Sequence, residues 1–217
     1  RIEGGDDLVQ FNEAAPIGPL INSGYTLFAE KNYMKLFKKS FGKVSARIEP
    51  LNGIRFSGGV EWSERTAVLN TTDYTWVDKE NREYTSNNPL DPTTDTKFFG
   101  TNQALKVEAK VRFRIKQKYI DRPDMNYILG SKYPTFEIGY IAGVNQLLSS
   151  DVDFGRIELG VYDNIKLGMF GKLNYVVTYG NFLSNSKTYF MDEAHFNGNQ
   201  TVFSTFERRR FDMLEYY

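Results

Sequence analysis

The chain has 217 residues, with 27 Lys and Arg against 27 Asp and Glu, so its net charge is zero and no overall balance points to nucleic acid. It holds no cysteine, which excludes a disulfide framework, thiolate chemistry and a cysteine-ligated metal. No run of about 18 apolar residues occurs, which excludes a transmembrane helix, while Phe, Tyr and Gly are plentiful.

The opening residues, Arg1-Ile2-Glu3-Gly4-Gly5, lack the basic-then-apolar pattern of a signal peptide. The chain is expected either to have lost such a peptide or to be an internal segment of a longer polypeptide. A first strand is expected around Tyr25 to Ala29. Tyr33, Leu36, Phe37 and Phe41 then recur at helical spacing, with Lys31, Lys35, Lys38 and Lys39 between them. A basic amphipathic stretch of this kind can lie on a membrane surface. The simpler reading is a short solvated helix or an irregular lead-in to a strand.

Clear period-two alternation begins at Lys43 to Glu49, with Val44, Ala46 and Ile48 on one face. Asn52-Gly53 supplies a tight hairpin turn. The return run sets Ile54, Phe56, Gly58, Val60 and Trp62 against Arg55, Ser57, Gly59, Glu61, Ser63 and Arg65. A polar stretch from Asn70 to Asn102 follows, holding Pro89 and Pro92. It is too long for an ordinary connection and reads as an extracellular loop. It carries no phosphate-binding glycine pattern and no clear calcium loop, despite Asp91 and Asp95.

The strongest alternation lies between Leu105 and Lys116. Leu105, Val107, Ala109, Val111, Phe113 and Ile115 fall on one face, and Lys106, Glu108, Lys110, Arg112, Arg114 and Lys116 on the other. A connection through Asp121 and Pro123 leads to a strand at Thr135 to Val144, with Phe136, Ile138, Tyr140, Ala142 and Val144 on one side. Arg156 to Gly168 places Ile157, Leu159, Val161, Ile165 and Leu167 together, interrupted by Asp163. The turn Gly168 to Gly171 leads into Lys172 to Gly180, with Leu173, Tyr175, Val177 and Tyr179 on one face. All seven prolines fall between or at the edges of these runs, where a β-protein can hold a residue that cannot donate to the ladder. The reading is about seven or eight strands joined largely as meanders.

Alternation by itself fits a soluble barrel with an apolar interior or a membrane barrel with an apolar exterior. Three features favour the membrane. The strands run to about ten residues or more, as a tilted bilayer crossing needs. Connections are alternately short and long. Aromatic residues gather near strand ends, at Trp62, Tyr74, Trp76, Phe98, Phe99, Tyr119, Tyr127, Tyr133, Phe182 and Tyr189, as in interfacial girdles. A Lys or Arg facing lipid at the midplane costs about 2–4 kcal/mol. In a membrane barrel the face carrying Lys106 to Lys116 therefore looks into a wet lumen.

Several segments carry a resemblance. They are Lys31-Asn32-Tyr33-Met34-Lys35-Leu36, Gly58 to Thr66, Asn88-Pro89-Leu90, Lys132-Tyr133-Pro134, Asp151-Val152-Asp153-Phe154, and Tyr189-Phe190-Met191-Asp192 leading into His195 to Gln200. Together they resemble a family of Gram-negative outer-membrane proteins of unknown function, whose members carry a carboxypeptidase-regulatory-like domain before the barrel. That module, a small β-sandwich and not a peptidase, is absent here. The resemblance implies a transmembrane β-barrel that continues past Tyr216-Tyr217 with further strands.

Candidate chemistry is sparse. His195 is the single histidine, and with Asp192, Glu193 and Asn197 nearby it sketches a metal site or an acid–base pair. A hydrolase using His195 would need a serine such as Ser184 or Ser204 brought to it. His195-Phe196-Asn197-Gly198-Asn199 reads better as a constrained loop braced by its own amides. Glu207-Arg208-Arg209-Arg210 follows Phe203 and Phe206 and is expected to balance its charges in solvent or against lumen carboxylates.

The reading is therefore an all-β, partial antiparallel transmembrane barrel over residues 1–217. Its expected role is structural, transport or assembly work in a Gram-negative outer membrane. No catalytic, metal or cofactor site is expected; the partners are the bilayer with its lipopolysaccharide and other outer-membrane or periplasmic subunits, not nucleic acid. The alternatives are a soluble lipocalin-like ligand-binding barrel and an outer-membrane hydrolase using His195.

Overall fold

A computed structural model describes residues 1–78, 80–120, 127–201, 211–212 and 214–217. In chain order the elements are β1 (Ile2–Gln10), α1 (Pro19–Ala29), β2 (Leu36–Leu51), β3 (Ile54–Ala67), β4 (Asn102–Arg114), β5 (Lys118–Ile120) and β6 (Tyr127–Gly130). They continue with β7 (Thr135–Gly143), β8 (Asp153–Lys166), β9 (Lys172–Lys187), β10 (Gly198–Asn199) and β11 (Phe211–Asp212). The fold is all-β in its main body. Seven strands form one sheet in the order β1-β2-β3-β4-β7-β8-β9, and the β4–β7, β7–β8 and β8–β9 ladders are antiparallel. Among the described residues the sheet is open, with β1 and β9 as its edges, so the closed barrel is not formed here.

Three expectations are corrected. Tyr25 to Ala29 is not a strand but the last part of α1, which starts at Pro19, where the missing N–H costs a helix nothing. Of the two readings for Tyr33 to Phe41 the helix does not form and the irregular lead-in does: the segment is irregular up to Lys35 and then enters β2, so the helical spacing of its aromatics is incidental. The strand expected from Leu105 to Lys116 starts at Asn102 and ends at Arg114, because Ile115 and Lys116 turn away with Lys116 at φ 50°. No strand is expected at the chain start, yet β1 forms there as an edge without apolar alternation. Asp121, Pro123 and Ser204, and the basic run at 208–210, lie outside the described residues.

Contacts gather the chain into two compact units. The first comprises Arg1–Glu3, Gly42–Trp62 and Ala104–Lys187, and the second Gly4–Phe41, Ser63–Gln103 and Thr188–Tyr217.

In the first unit the register shows which residues share a face. Lys110 stands opposite Gly139, which stands opposite Glu158, which stands opposite Gly180. One row along, Val111, Ile138, Leu159 and Tyr179 follow one another across the same four strands. Most of the apolar row is exposed: Ile138 keeps 44 % and Tyr179 58 % of its surface open, and Val44, Ile48, Phe56, Val60, Phe136, Leu173 and Val177 are exposed likewise, as are Lys110 and Gly180 of the other row. On β7 the polar-side positions Thr135, Gly139 and Gly143 are the buried ones. This inverts the soluble pattern, in which the apolar face of a sheet packs on a core. Asp163 faces Tyr175 on this side, near the hairpin end, where its carboxylate accepts the Asn164 N–H at 2.7 Å.

The second unit has two small cores. Phe11, Phe37 and Met191 pack with Phe98, Phe99 and Phe190, and Ile17, Met34 and Tyr216 pack with Ile21 and Tyr33. Phe98, Phe99 and Tyr189, expected in a surface girdle, belong instead to the first of these clusters. The polar excursion is likewise no loose loop, since Ser86, Asn87 and Asn88 are buried in it.

The edge strands differ in chemistry. β1 carries Glu3, Asp6 and Asp7, whereas β9 has no charged residue and no proline between Lys172 and Lys187.

The β2–β3 turn is held by close packing. Gly53 sits at φ 84°, a Cβ there would collide with the Arg114 carbonyl, and its own carbonyl accepts the Arg114 N–H at 2.7 Å. Gly53→Ala is therefore expected to cost about 1–3 kcal/mol. Urea unfolding in detergent micelles measures this, and an unchanged midpoint would refute the close-packing account.

Candidate functional site

The charged face of β4 was the leading candidate, and its neighbours are now known. Glu108 pairs with Lys43 at 2.9 Å, and Glu137 on β7 takes both Lys110 at 3.3 Å and Arg112 at 2.7 Å. Arg112 also lies over the Tyr162 ring, 6.0 Å from its centroid. On β8, Arg156 pairs with Glu158 at 3.0 Å. Gly139 and Gly160 leave the space these side chains occupy: a Cβ at Gly139 would lie 3.7 Å from the Lys110 stem, and one at Gly160 would lie 3.6 Å from Glu137.

Near the Asn52-Gly53 turn the same face forms a shallow polar pocket lined by Glu49, Gly53, Arg55, Arg112, Arg114 and Gln117. Glu49 accepts two bonds from Arg55, at 2.9 and 3.1 Å, and Gln117 links Glu49 to the Asn52 amide. Arg114 donates to the Gln117 amide oxygen at 3.4 Å. Lys106 stays on the strand face, whereas Lys116, beyond the strand end, lies over the Tyr133 ring at 5.6 Å. The face is a laterally paired charge lattice with polar amides. It holds no nucleophile set against a base.

The His195 loop lies in the second unit. The imidazole Nε2 is 2.7 Å from the Phe190 carbonyl, and the ring stacks at 4.5 Å on Phe190 and at 6.3 Å on Tyr217. One ring nitrogen thus meets a backbone carbonyl and the ring packs beside two aromatics, tilted against Phe190 and edge-on with Tyr217, which is the environment of a packing histidine. Among the described residues no group of three His, Asp or Glu could hold a metal ion. Phe196 is exposed and edge-on to Phe211, while its carbonyl accepts the Asn12 amide at 2.8 Å. Asn197 accepts the Phe211 N–H through its backbone carbonyl at 2.8 Å. Gly198 admits no side chain, because a Cβ would collide with the Leu214 and Glu215 carbonyls. Asn199 is buried, and its side-chain oxygen accepts from the Thr201 hydroxyl at 2.8 Å and the Tyr216 hydroxyl at 3.2 Å. The loop is a clamp on the segment 214–217, built from the amides that sequence reading singled out.

Sequence reading missed the centre of this unit. Arg65 on β3 and Asp192 form an ion pair at 2.7 Å with side-chain exposures of 1 % and 0 %. Arg65 Nε donates to the Asn102 side chain at 2.7 Å, and its guanidinium lies 5.2 Å over the Tyr189 ring. Asp192 accepts the Tyr189 N–H through its second oxygen at 3.2 Å. Ser63 Oγ and Arg65 Nη2 have no partner among the described residues. Both ion-pair members lie inside the segments that carried the family resemblance, so charge within those segments was the available signal.

Lys35 is also a buried cation of this unit. Its ammonium donates to the Ser86 carbonyl, and its backbone N–H donates to the Tyr217 hydroxyl at 2.9 Å. The Asn87 side chain brackets Leu36, accepting its N–H at 2.9 Å and donating to its carbonyl at 2.7 Å. Burial lowers the Lys35 pKa to about 8, opposed by attraction to Asp95. Burial pushes the Tyr217 phenol up.

The profile of a family of unknown function, the DUF5686 C-terminal domain, matches residues 1–217. No curated protein and no solved structure matches the chain.

Two outcomes are expected from this geometry. Arg65→Met or Asp192→Leu alone strands a buried charge and is expected to cost about 3–5 kcal/mol, with the double variant losing less than either; chemical unfolding of the four proteins measures the cycle, and additive losses would refute it. For Lys35 the unfolded chain holds its proton up to about 10.5, so between pH about 8 and 10.5 the unfolded state binds more protons and stability rises with pH. Below that window the burial cost is felt in full. Lys35→Met is expected to abolish this rise, and an equal slope in both proteins would contradict it.

Proposed function

The chain belongs to the DUF5686 family as its C-terminal domain, and from that premise we propose that it is the strand-built, membrane-spanning part of a Gram-negative outer-membrane protein. The observation that carries this reading is the exposed apolar face of β4, β7, β8 and β9, opposite a face of paired charges. Val111-Ile138-Leu159-Tyr179 and Phe113-Phe136-Val161-Val177 form continuous rows, and among the described residues none of these is buried. Lipid is the solvent that makes such a face favourable, and β4, β8 and β9, at 13, 14 and 16 residues, exceed the length a tilted crossing needs.

In this reading Lys106, Glu108, Lys110, Arg112 and Arg114 line a wet interior of a barrel completed by further strands. The role is structural, in transport or in assembly, in contact with the bilayer, lipopolysaccharide and other envelope subunits. We read the role as other than catalytic, with His195 packed by its ring against Phe190 and Tyr217. Among the described residues no helix is long and apolar enough to cross a membrane, so crossing falls to the strands. A lipocalin-like barrel would need the apolar rows to converge on an interior, and their exposure speaks against that.

The test compares Ile138→Arg in two settings. In a bilayer the substitution is expected to cost about 2–4 kcal/mol, whereas at an exposed position of a water-soluble sheet it would stay within about 0.5 kcal/mol. The unmodified chain is also expected to stay dispersed only with detergent or lipid. A folded monomer in plain buffer would overturn the proposal.

A further inference from the structure

Charge is unevenly spread along the polar side of the first unit's sheet. At one end a single ammonium, Lys43, is attracted to three carboxylates, Glu108, Glu61 and Glu3. At the end holding the Asn52-Gly53 turn the balance reverses. There Arg55, Lys110, Arg112 and Arg114 share the polar side with two carboxylates, Glu49 and Glu137. Glu49 offsets Arg55, and Glu137 offsets one of Lys110 and Arg112, so two positive charges remain. Lys166 and Lys172 stand on the same side towards the same end, opposite each other and outside the pocket, and neither forms an ion pair among the described residues.

The hydrogen bonds of the polar pocket by the turn show the same excess. A guanidinium is a planar fork of N–H donors with no acceptor. Arg55 turns Nε and Nη2 to one Glu49 oxygen, at 3.1 and 2.9 Å, and Arg112 turns the same two atoms to one Glu137 oxygen, at 2.9 and 2.7 Å. Among the described residues their Nη1 groups meet no acceptor. Of Arg114, Nη1 meets the Gln117 amide oxygen at 3.4 Å, and among the described residues Nε and Nη2 meet none. The side-chain acceptors in the pocket are already engaged: Glu49 by Arg55, the Gly53 N–H and the Gln117 amide, and Gln117 by Arg114. What the pocket lacks is acceptor oxygen and negative charge.

We propose that this pocket binds a doubly charged oxyanion of the phosphate class, with Arg114 as its principal contact and the free edges of Arg55 and Arg112 beside it. The pocket is half open, with room at its floor for one group the size of a water molecule. One anion oxygen fills the floor, and the others stay on the open side within reach of the guanidinium forks. Forks of this kind match the geometry of phosphate oxygens better than ammonium groups do. An excess of two charges favours a dianion over a carboxylate. The donors are also held in place before a ligand arrives, Arg55 and Arg112 by their carboxylates and Arg114 by Gln117, itself tied to Glu49 and Asn52. That lowers the ordering cost of binding. The field of Lys166 and Lys172 raises the local concentration of anions and is screened by salt. The proposal goes beyond the membrane reading and stands without it, since it concerns the polar side alone.

Isothermal titration calorimetry tests this on the full chain in uncharged detergent micelles, at mildly alkaline pH and fixed ionic strength. Inorganic phosphate is expected to bind saturably and at least about ten-fold more tightly than acetate. Arg114→Gln is expected to weaken phosphate binding by about ten-fold or more, since a charged donor is lost. Glu49→Gln removes the negative charge beside the anion and is expected to strengthen binding about three-fold, a gain that misfolding cannot mimic. Lys172→Gln, on the same side but outside the pocket, is expected to stay within about two-fold of the unmodified chain. Circular dichroism confirms that each variant folds. Glycerol phosphate distinguishes two sources of the same chemistry: binding like inorganic phosphate assigns a phosphorylated solute, and binding far more weakly assigns the free ion. No saturable phosphate binding, or acetate binding equally well, overturns the proposal. Equal losses in Arg114→Gln and Lys172→Gln also overturn it, because they mark a diffuse field and no site.

Discussion

A pleated strand cannot point adjacent side chains to the same side, and this constraint governs the first unit. Once β4 carries a charge at every even position from Lys106 to Arg114, those charges occupy one side of the sheet and the intervening Val, Ala and Phe the other. The antiparallel register passes this division on to β7, β8 and β9 residue by residue. Charge on one side is then neutralised laterally, through Glu137 between Lys110 and Arg112 and through Glu108 with Lys43. In water, exposed pairs of this kind contribute little. On the proposed reading, their effect is to make a densely charged surface compatible with a polar interior. The opposite side has no such internal solution, and in that reading lipid supplies it.

The second unit solves a different problem. It is assembled from segments distant in sequence, with few regular hydrogen bonds between them, and polar side chains supply the missing ladder. Asn87 bonds both backbone groups of Leu36, Asn22 receives the N–H groups of Tyr33 and Met34, and Asn12 reaches the carbonyls of Phe196 and Tyr216. Arg65 and Asp192 sit among these as a fully buried pair. Such a pair contributes little net stability against an apolar substitute, but either half without the other is costly. It therefore penalises any arrangement in which β3 and the Tyr189–Asp192 turn fail to meet.

How much of this was legible in the sequence follows the same divide. Alternation encodes a face directly, so β2, β3, β4, β7, β8 and β9 and the Asn52-Gly53 turn were readable, although β2 begins at Leu36, well before its alternation at Lys43, and β9 runs on to Lys187, well past Gly180. β1 was not, because Gly4-Gly5-Asp6-Asp7 has no apolar period and its strand state comes from pairing with β2. The helical spacing around Tyr33 misled for the complementary reason: those aromatics are placed by the second unit's cores and not by a helix face. At the candidate sites, the Asn and Gly residues of the His195 loop announced a constrained turn. The ion pair of Arg65 and Asp192 spans 127 positions, and no local pattern can reveal which distant charge a buried arginine will meet.

The uncharged edge of β9 bears on time as well as on structure. Exposed strand edges in water are ordinarily guarded by charge, proline or a bulge, because an open row of N–H and C=O groups recruits any passing strand. From Leu173 to Ser186 this edge has neither charge nor proline to guard it. Until an adjoining strand covers that edge, the polypeptide is in a race between productive pairing, whose rate is fixed by the chain, and cross-association, whose rate grows with concentration. On the proposed reading, a cell that makes this protein keeps the concentration of free edges low by escorting the chain or by delivering it promptly to the membrane.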